Sequence, residues 1–271
     1  MYKLIACDLD ETLLNVDAHV CRRNKEAIEQ LAKLGVKFVP ATGRGFRAIE
    51  KTLEEINLKD KKNEYVISFN GGCITENKNN RIMKFQGLSF AKANELYRLG
   101  LNYDVCIHVY TKDMVYVYNA DQEEINYLKL RHVYKVIDKD NLDFLKGQDI
   151  AKVLYGKPNI NYLRKVTSDL GNIVKDLDVS YSSNRYLEFN HKGVNKGEGL
   201  LWLANKLGIE PEETMAIGDN FNDLSMLKAA GLGVGMANTN PDMKDQCDVL
   251  TEADNNQGGV GEAIEKFILE K

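Results

Sequence analysis

The sequence is poor in the features that mark disulfide-bonded, metal-clustered and membrane proteins. Its 271 residues include five cysteines and four histidines. The cysteines are odd in number, widely spaced and without a C-x-x-C pair, which argues against a disulfide framework or a zinc site. His108 and His191 are predicted to be structural. No apolar run approaches the roughly 18 residues of a membrane span, and no cleavable signal precedes the first strand. We therefore expect a protein of the reducing cytoplasm, neither secreted nor membrane-spanning.

An excess of positive charge is also missing. The formal net charge is −4, which argues against nucleic acid as the main partner. Hydrophobic residues make up 44% of the chain and charged residues 28%, as in an ordinary globular protein. The length allows two domains, or one domain with a large insertion, and the sequence leaves the oligomeric state open.

The first fourteen residues carry the strongest local signal. An apolar run from Tyr2 to Cys7 is too short for a helix and predicts a buried strand. Asp8 and Asp10 follow it on one side of the chain, with Leu9 pointing into the core. Ligands of open α/β sheets bind beyond the carboxyl ends of the strands, and two close carboxylates favour a hard cation such as Mg2+. Alone, the same residues are also compatible with a polar turn in which Thr12 is a helix cap.

The two ends of the chain alternate between strand and helix patterns, which predicts a parallel, doubly wound sheet. The predicted strands and helices of this core are strands at 2–7, 36–39, 65–69, 214–217, 232–234 and 248–250, and helices at 23–34, 46–56, 197–207, 224–230 and from 260.

The pattern changes near residue 82, where strands begin to follow one another directly. Helices are predicted at 89–101 and 159–170, and strands at 105–110, 114–118, 150–155, 179–182 and 186–189. We expect residues 82–185 to form an inserted α+β domain, and residues 1–81 and 186–271 to form the catalytic core. The pattern change alone sets these boundaries.

Polar residues follow several core strands or open a helix, and a parallel sheet brings such positions to one edge. They are Asp8 with Asp10, Thr42 with Gly43, Lys196, and Asp219 with Asn222 and Asp223. The carboxylates form a cation site, and the hydroxyl, backbone N–H groups and ammonium form an anion site. Phosphoryl transfer needs this pairing, because charge on the phosphate oxygens must be neutralised during in-line attack.

The same four segments resemble the motifs of the haloacid dehalogenase-like phosphatases, and most closely the Cof-type sugar phosphatases. The matching stretches, in order, are Asp8-Leu-Asp-Glu-Thr, Ala41-Thr-Gly-Arg, Lys196 in Gly-Val-Asn-Lys-Gly, and Gly218-Asp-Asn-Phe-Asn-Asp. Asn70-Gly71-Gly72 resembles the family's Asn-Gly-Ala, with Gly72 as a small departure. The resemblance covers the core, and the insertion lies where that subfamily carries its α+β cap.

The resemblance implies a role for each matched residue. Asp8 would be the nucleophile that becomes an aspartyl-phosphate, and Asp10 the general acid and then base. Asp8, Asp10 through its carbonyl, Asp219 and Asp223 would bind or support Mg2+. The remaining matches are phosphate-binding residues (Leu9, Thr42, Gly43, Lys196 and Asn222) and substrate-binding residues (Arg44, Asn70 and Gly71).

The expected function is hydrolysis of small phosphorylated metabolites, either sugar phosphates or phosphorylated cofactors. Two alternatives remain open from the sequence: a phosphomutase or phosphotransferase on the same fold, and a sensor that binds phosphorylated ligands without turnover. The cap is expected to close over the site and to read the leaving group, whose identity the sequence does not reveal.

Overall fold

The protein is described from a computed structural model that covers residues 1–270, the side chain of Leu130 excepted. The strands within this range are β1 (Leu4–Cys7), β2 (Lys37–Pro40), β3 (Tyr65–Ser68), β4 (Cys73–Glu76), β5 (Arg81–Phe85), β6 (Cys106–Thr111), β7 (Val115–Tyr118), β8 (Tyr134–Val136), β9 (Ile150–Gly156), β10 (Leu177–Ser182), β11 (Tyr186–His191), β12 (Thr214–Gly218), β13 (Leu232–Gly235) and β14 (Val249–Leu250). The α-helices are α1 (Arg22–Lys33), α2 (Glu50–Glu55), α3 (Phe90–Gly100), α4 (Gln122–Arg131), α5 (Ile160–Leu170), α6 (Lys196–Leu207), α7 (Leu224–Ala229) and α8 (Gly259–Ile264).

A five-stranded parallel sheet, in the order β14-β13-β12-β1-β2, forms the centre of the core. All four residues of β1 are fully buried. Each buried Leu or Ile side chain of such a strand contributes about 1.5–3 kcal/mol by leaving water. The predicted fold class, a doubly wound parallel sheet with an inserted α+β domain, is confirmed.

Helix α1 shows how the apolar pattern attaches a helix to this sheet. Its buried positions include Ala27, Ile28 and Leu31, at the spacing that places them on one face. A glycine with positive φ, Gly35, follows the end of the helix, and its N–H donates to the carbonyl of Ala32. The chain can then turn back into β2.

The third predicted core strand lies in a different sheet from the one expected. β3 pairs antiparallel with β4, and the sheet order is β3-β4-β5. Its link to the parallel sheet is a single parallel bridge between Ala41 and Ile67. The sequence did not predict β4 and β5, because no α-helix separates them from β3 or from each other, and the strand–helix alternation that identified the core is missing there.

The inserted unit contains a six-stranded sheet in the order β10-β11-β9-β6-β7-β8. β6 and β7 pair antiparallel, as predicted. One face of this sheet is apolar and contacts α3 and α5. The other face carries polar side chains, among them His108, Lys152 and Glu188, which are almost completely buried.

The described part of the chain divides into two compact units, residues 1–84 with 195–270 and residues 85–194. The sequence-based boundary at 185/186 differs from this division. It separates β11 from β10, although the two strands pair along their whole length and β11 also pairs with β9. Backbone hydrogen bonding therefore keeps Tyr186–His191 in the inserted unit. Among residues 1–270, no helix combines the length and apolar character needed to cross a membrane.

Candidate active site

The register of the parallel sheet brings the polar segments together. Cys7 is paired with Pro40 on β2 and with Ile217 on β12. The N–H of Asp8 donates to the carbonyl of Ile217 at 2.9 Å, and the N–H of Ala41 donates to the carbonyl of Cys7 at 2.8 Å. The residues that follow β1, β2 and β12 therefore lie side by side at one edge of the sheet.

A fully buried lysine joins two of the acidic residues at this edge. The Nζ atom of Lys196 donates to Oδ1 of Asp8 and, at 2.6 Å, to Oδ1 of Asp223. Lys196 is the first residue of α6, and Asn195 caps the helix by accepting from the N–H of Glu198. A cation is unfavourable at a helix N-terminus, so the two carboxylates offset both this field and the burial.

The turn after β12 holds its carboxylates through backbone groups. Oδ2 of Asp223 accepts from the N–H groups of Asp219 and Asn220, at 3.0 and 3.1 Å. Position 218 has to be glycine, because a Cβ there would lie 2.5 Å from the Cβ of Asp223. The turn thus fixes one Asp223 oxygen on the backbone and leaves the other for Lys196.

The side chains of Asp8, Asp219 and Asp223 are buried and have oxygen atoms within 4.8 Å of one another. Burial, together with the charge of Asp223, raises the pKa of Asp8 to about 7. Burial, Asp223 and Asp8 raise the pKa of Asp219 to about 9, against the hydrogen bond from Thr12. Burial disfavours the charged lysine, but Asp223 and Asp8 outweigh it and raise the pKa of Lys196.

These three carboxylates face one ammonium, so the cluster has an excess of negative charge when all three are ionised. Oxygen ligands in a buried, electron-rich cluster suit a hard divalent cation. The residues present therefore fit Mg2+.

Asp10 and Arg44 form an ion pair beside the cluster. Nε of Arg44 donates to Oδ2 of Asp10 at 2.8 Å, and Nη2 donates to Oδ1. The guanidinium is largely buried, whereas the Asp10 side chain is 29% exposed. Oγ1 of the buried Thr42 accepts from the N–H of Arg44 at 3.1 Å, which leaves its own O–H able to donate. Gly43, between them, is half-buried.

The other predicted residues occupy less direct positions. Leu9 is fully buried, as its predicted inward orientation requires. The N–H of Asn70 donates to the carbonyl of Thr42 at 3.0 Å. Gly71 has φ +96°, and a Cβ there would lie 2.3 Å from the carbonyl oxygen of Asn195. Its observed contact is therefore close packing against the start of α6. Asn222 is half-buried in the turn that carries Asp219 and Asp223.

Sequence reasoning assigned no site role to Thr12. The fully buried Thr12 donates its hydroxyl to Oδ1 of Asp219 at 2.6 Å, although 207 residues separate the two. The available signal was its place two residues after Asp10, in the loop that leaves the carboxyl end of β1.

Comparison with known proteins identifies the class. The family model of haloacid dehalogenase-like hydrolases matches residues 5–264. The chain belongs to this family, as the sequence motifs predicted, and is an enzyme of its phosphatase branch.

Relatives extend over the whole chain. The Bacillus subtilis protein YxeH, named as a phosphatase, is 34% identical over 280 residues, covering 100% of both chains. The 5-amino-6-(5-phospho-D-ribitylamino)uracil phosphatase YcsE of the same organism is 28% identical, covering 98% of this chain and 96% of the relative. The solved structure of a haloacid dehalogenase-like hydrolase from B. subtilis is similar, with a TM-score of 0.87 at 26% identity, and the match covers 98% of this chain and 100% of the other.

Proposed function

We propose that this enzyme is a Mg2+-dependent phosphatase of small phosphorylated metabolites that works through a phosphorylated Asp8. The main support is the position of Asp8, a buried carboxylate at the end of the central strand, held by Lys196 and close to Asp219. A carboxylate can serve as a nucleophile where neighbouring positive charge positions it and screens it from the phosphate.

In this proposal the side chains of Asp8 and Asp219 and the backbone carbonyl of Asp10 hold the cation, and Asp223 acts on Lys196 and on the water ligands. Bound Mg2+ would supply positive charge to the phosphate oxygens and to the nucleophile. Lys196, the hydroxyl of Thr42 and the N–H of Gly43 would bind the phosphate oxygens.

In the first step an oxygen of Asp8 attacks phosphorus, and the bond from phosphorus to the ester oxygen breaks. Asp10 gives its proton to the departing alkoxide. Both carboxylate oxygens of Asp10 accept from Arg44 in the structure, so this ion pair has to open before Asp10 can carry the proton.

In the second step Asp10 takes a proton from water. The water oxygen bonds to phosphorus, the bond to Asp8 breaks, and inorganic phosphate leaves. Asp10 is then protonated again and Asp8 is free, so the groups return to the state that began the cycle.

A panel of phosphomonoesters tests the proposal. It should contain sugar phosphates, nucleotides, phosphorylated cofactors and 5-amino-6-(5-phospho-D-ribitylamino)uracil, the compound in the name of one relative. We expect turnover with Mg2+. Enzyme quenched with acid during turnover should carry a phosphate on Asp8. Asp8→Asn should retain less than about a hundredth of the wild-type kcat.

p-Nitrophenyl phosphate added to the panel separates catalysis from ligand sensing. Binding of phosphorylated compounds without turnover of any of them would contradict the proposal. So would retention of more than about a hundredth of the rate in Asp8→Asn, since removing a nucleophile costs more than this.

A further inference from the structure

Three backbone carbonyls in the loop after β1 accept hydrogen bonds from asparagine side chains. Nδ2 of Asn238 donates to the carbonyl of Glu11 at 2.8 Å. The corresponding atoms of Asn24 and Asn255 donate to the carbonyls of Leu13 and Leu14, at 3.2 and 2.9 Å. We call Asn24, Asn238 and Asn255 the asparagine clamp.

The clamp residues come from separate parts of the core. Asn24 lies in α1, Asn238 in the turn after β13 and Asn255 in the loop after β14. Two of them are joined, because the N–H of Asn255 donates to Oδ1 of Asn238 at 3.2 Å. Asn24 in turn accepts from the N–H of Gly261 at 2.8 Å. The loop is therefore attached to the C-terminal segment of the core.

The loop itself has a backbone that needs such support. Glu11 has φ +62°, in the left-handed region that a residue with a Cβ seldom adopts. Such a conformation persists where surrounding contacts hold it. The carbonyl of this same residue is the one that Asn238 binds.

The held segment also carries site groups. It begins at Asp10, and its Thr12 donates to the carboxylate of Asp219. A displacement of the loop would move the Asp10 carboxylate and this hydroxyl together, whereas Asp8 remains fixed by its hydrogen bond to β12.

We propose that Asn238 and Asn255 are positioning residues of the phosphatase reaction, which hold Asp10 where it protonates the leaving group. This inference rests on the proposed role of Asp10 as general acid. Neither asparagine touches substrate; each acts through the backbone of the loop.

The test compares two substrates that depend differently on Asp10. An alkyl phosphate has a poor leaving group that needs a proton, whereas p-nitrophenolate leaves readily without one. The ratio of kcat/KM for the two substrates therefore reports the acid step. A general acid contributes about 10²–10⁴-fold to such a rate. We expect Asn255→Ala to lower kcat/KM for the alkyl phosphate by about 10–100-fold, and that for p-nitrophenyl phosphate several-fold less.

Two further variants extend the comparison. Asn255→Asp keeps the shape but has no N–H to donate, so it should behave like the alanine variant. Asn238→Ala should shift the ratio in the same direction by less, because Asn238 is exposed and water can replace it. If both Asn255 variants fail to fold, Asn238→Ala still provides the test.

Asn77→Ala is the matched control. Asn77 is buried in the same unit, and its Nδ2 donates to the carbonyl of Leu58 at 2.9 Å, away from the loop. This variant should leave the ratio within about twofold of wild type even where Tm falls.

An unchanged ratio in the folded Asn255 and Asn238 variants would overturn the inference, because a purely structural role predicts that they behave like Asn77→Ala. The variant Asp10→Ala separates this result from a failure of the proposed function. If Asp10→Ala itself leaves the ratio unchanged, the acid role of Asp10 is wrong, and the role of the clamp falls with it.

Discussion

Replacing Lys196 by methionine removes the buried ammonium of the site while keeping most of the side-chain volume. The loss of packing is therefore small, below about 1.5 kcal/mol. The electrostatic loss is larger, because Asp8 and Asp223 lose their shared partner at positions that are 6% and 0% exposed. Breaking a buried ion pair typically costs about 3–5 kcal/mol.

We expect Lys196→Met to lower the free energy of unfolding by about 3–5 kcal/mol, measured by urea denaturation in EDTA near pH 8. Lys206→Met is the matched control, since it is the same substitution at an exposed position of the same helix. It should cost less than about 1 kcal/mol, the scale of a cation's interaction with a helix C-terminus.

The double variant Lys196→Met with Asp223→Asn separates stability from catalysis. The amide oxygen that this change places at position 223 can still accept from the N–H groups of Asp219 and Asn220, while one unpaired negative charge is gone. Stability should therefore partly recover, but kcat/KM should stay about 10²–10³-fold below wild type, because the phosphate still lacks its ammonium partner. Equal stability losses in Lys196→Met and Lys206→Met would refute this account. A kcat/KM of the double variant within tenfold of wild type would also refute it.

Three further predictions concern metal and pH. Activity should be lost in EDTA, return with Mg2+ and be inhibited by Ca2+, which takes more ligands in a looser geometry; full activity after exhaustive chelation would contradict the cation site. The raised pKa values of Asp8 and Asp219, about 7 and about 9 against an ordinary 3.8, mean that the metal-free folded state retains protons that the unfolded chain releases. The stabilising contribution of these protons is complete below about pH 4 and is lost as the pH rises through 7 to 9. Tm in EDTA should therefore fall over that range, and Mg2+ should raise Tm by more at the alkaline end. A Tm in EDTA that does not change with pH would contradict this prediction. Burial, reinforced by Lys152, lowers the pKa of His108 from 6.5 to about 3. The neutral, buried His108 therefore contributes stability above about pH 6.5, and this contribution is lost as the pH falls toward 3. The Tm of His108→Gln should depend less on acid pH than the Tm of wild type.

Much of the core could be predicted because its signals are local. The run from Leu4 to Cys7 and the spacing of Ala27, Ile28 and Leu31 each lie within one element. Such signals follow from the period of a strand or a helix, and they can be read without knowing which elements pack against it. The order of the polar segments also predicted that Asp8 and Lys196 lie close together, and their side chains are hydrogen-bonded in the structure.

Helix α4 and strands β4 and β5 were not predicted, for physical reasons. Residues 122–131 have little helical apolar periodicity, and no apolar face identifies the helix. Its available signal was the cap, in which Asp121 accepts from the N–H of Glu124 at 2.8 Å. The burial of polar residues such as Lys152 and Glu188 is likewise not predicted by a pattern that equates burial with apolar character.

Within the candidate site, the sequence identifies the residues that supply chemistry more readily than those that hold the chain in place. Carboxylates and lysines at strand ends stand out because their charge demands a partner. Asn255 carries no charge, and its carbonyl partner at Leu14 is 241 residues away. Only the fold brings such an amide to such a carbonyl, and neither residue type signals the contact. For this enzyme the pairing of Arg44 with Asp10, the bond from Thr12 to Asp219 and the asparagine clamp all belong to that second class. In the proposed mechanism the last two hold the loop that carries Asp10, and the distance of Asp10 from the leaving group decides whether a proton can be transferred. The motif therefore specifies which reaction is possible, while the contacts that no motif contains determine whether its groups are in position to perform it.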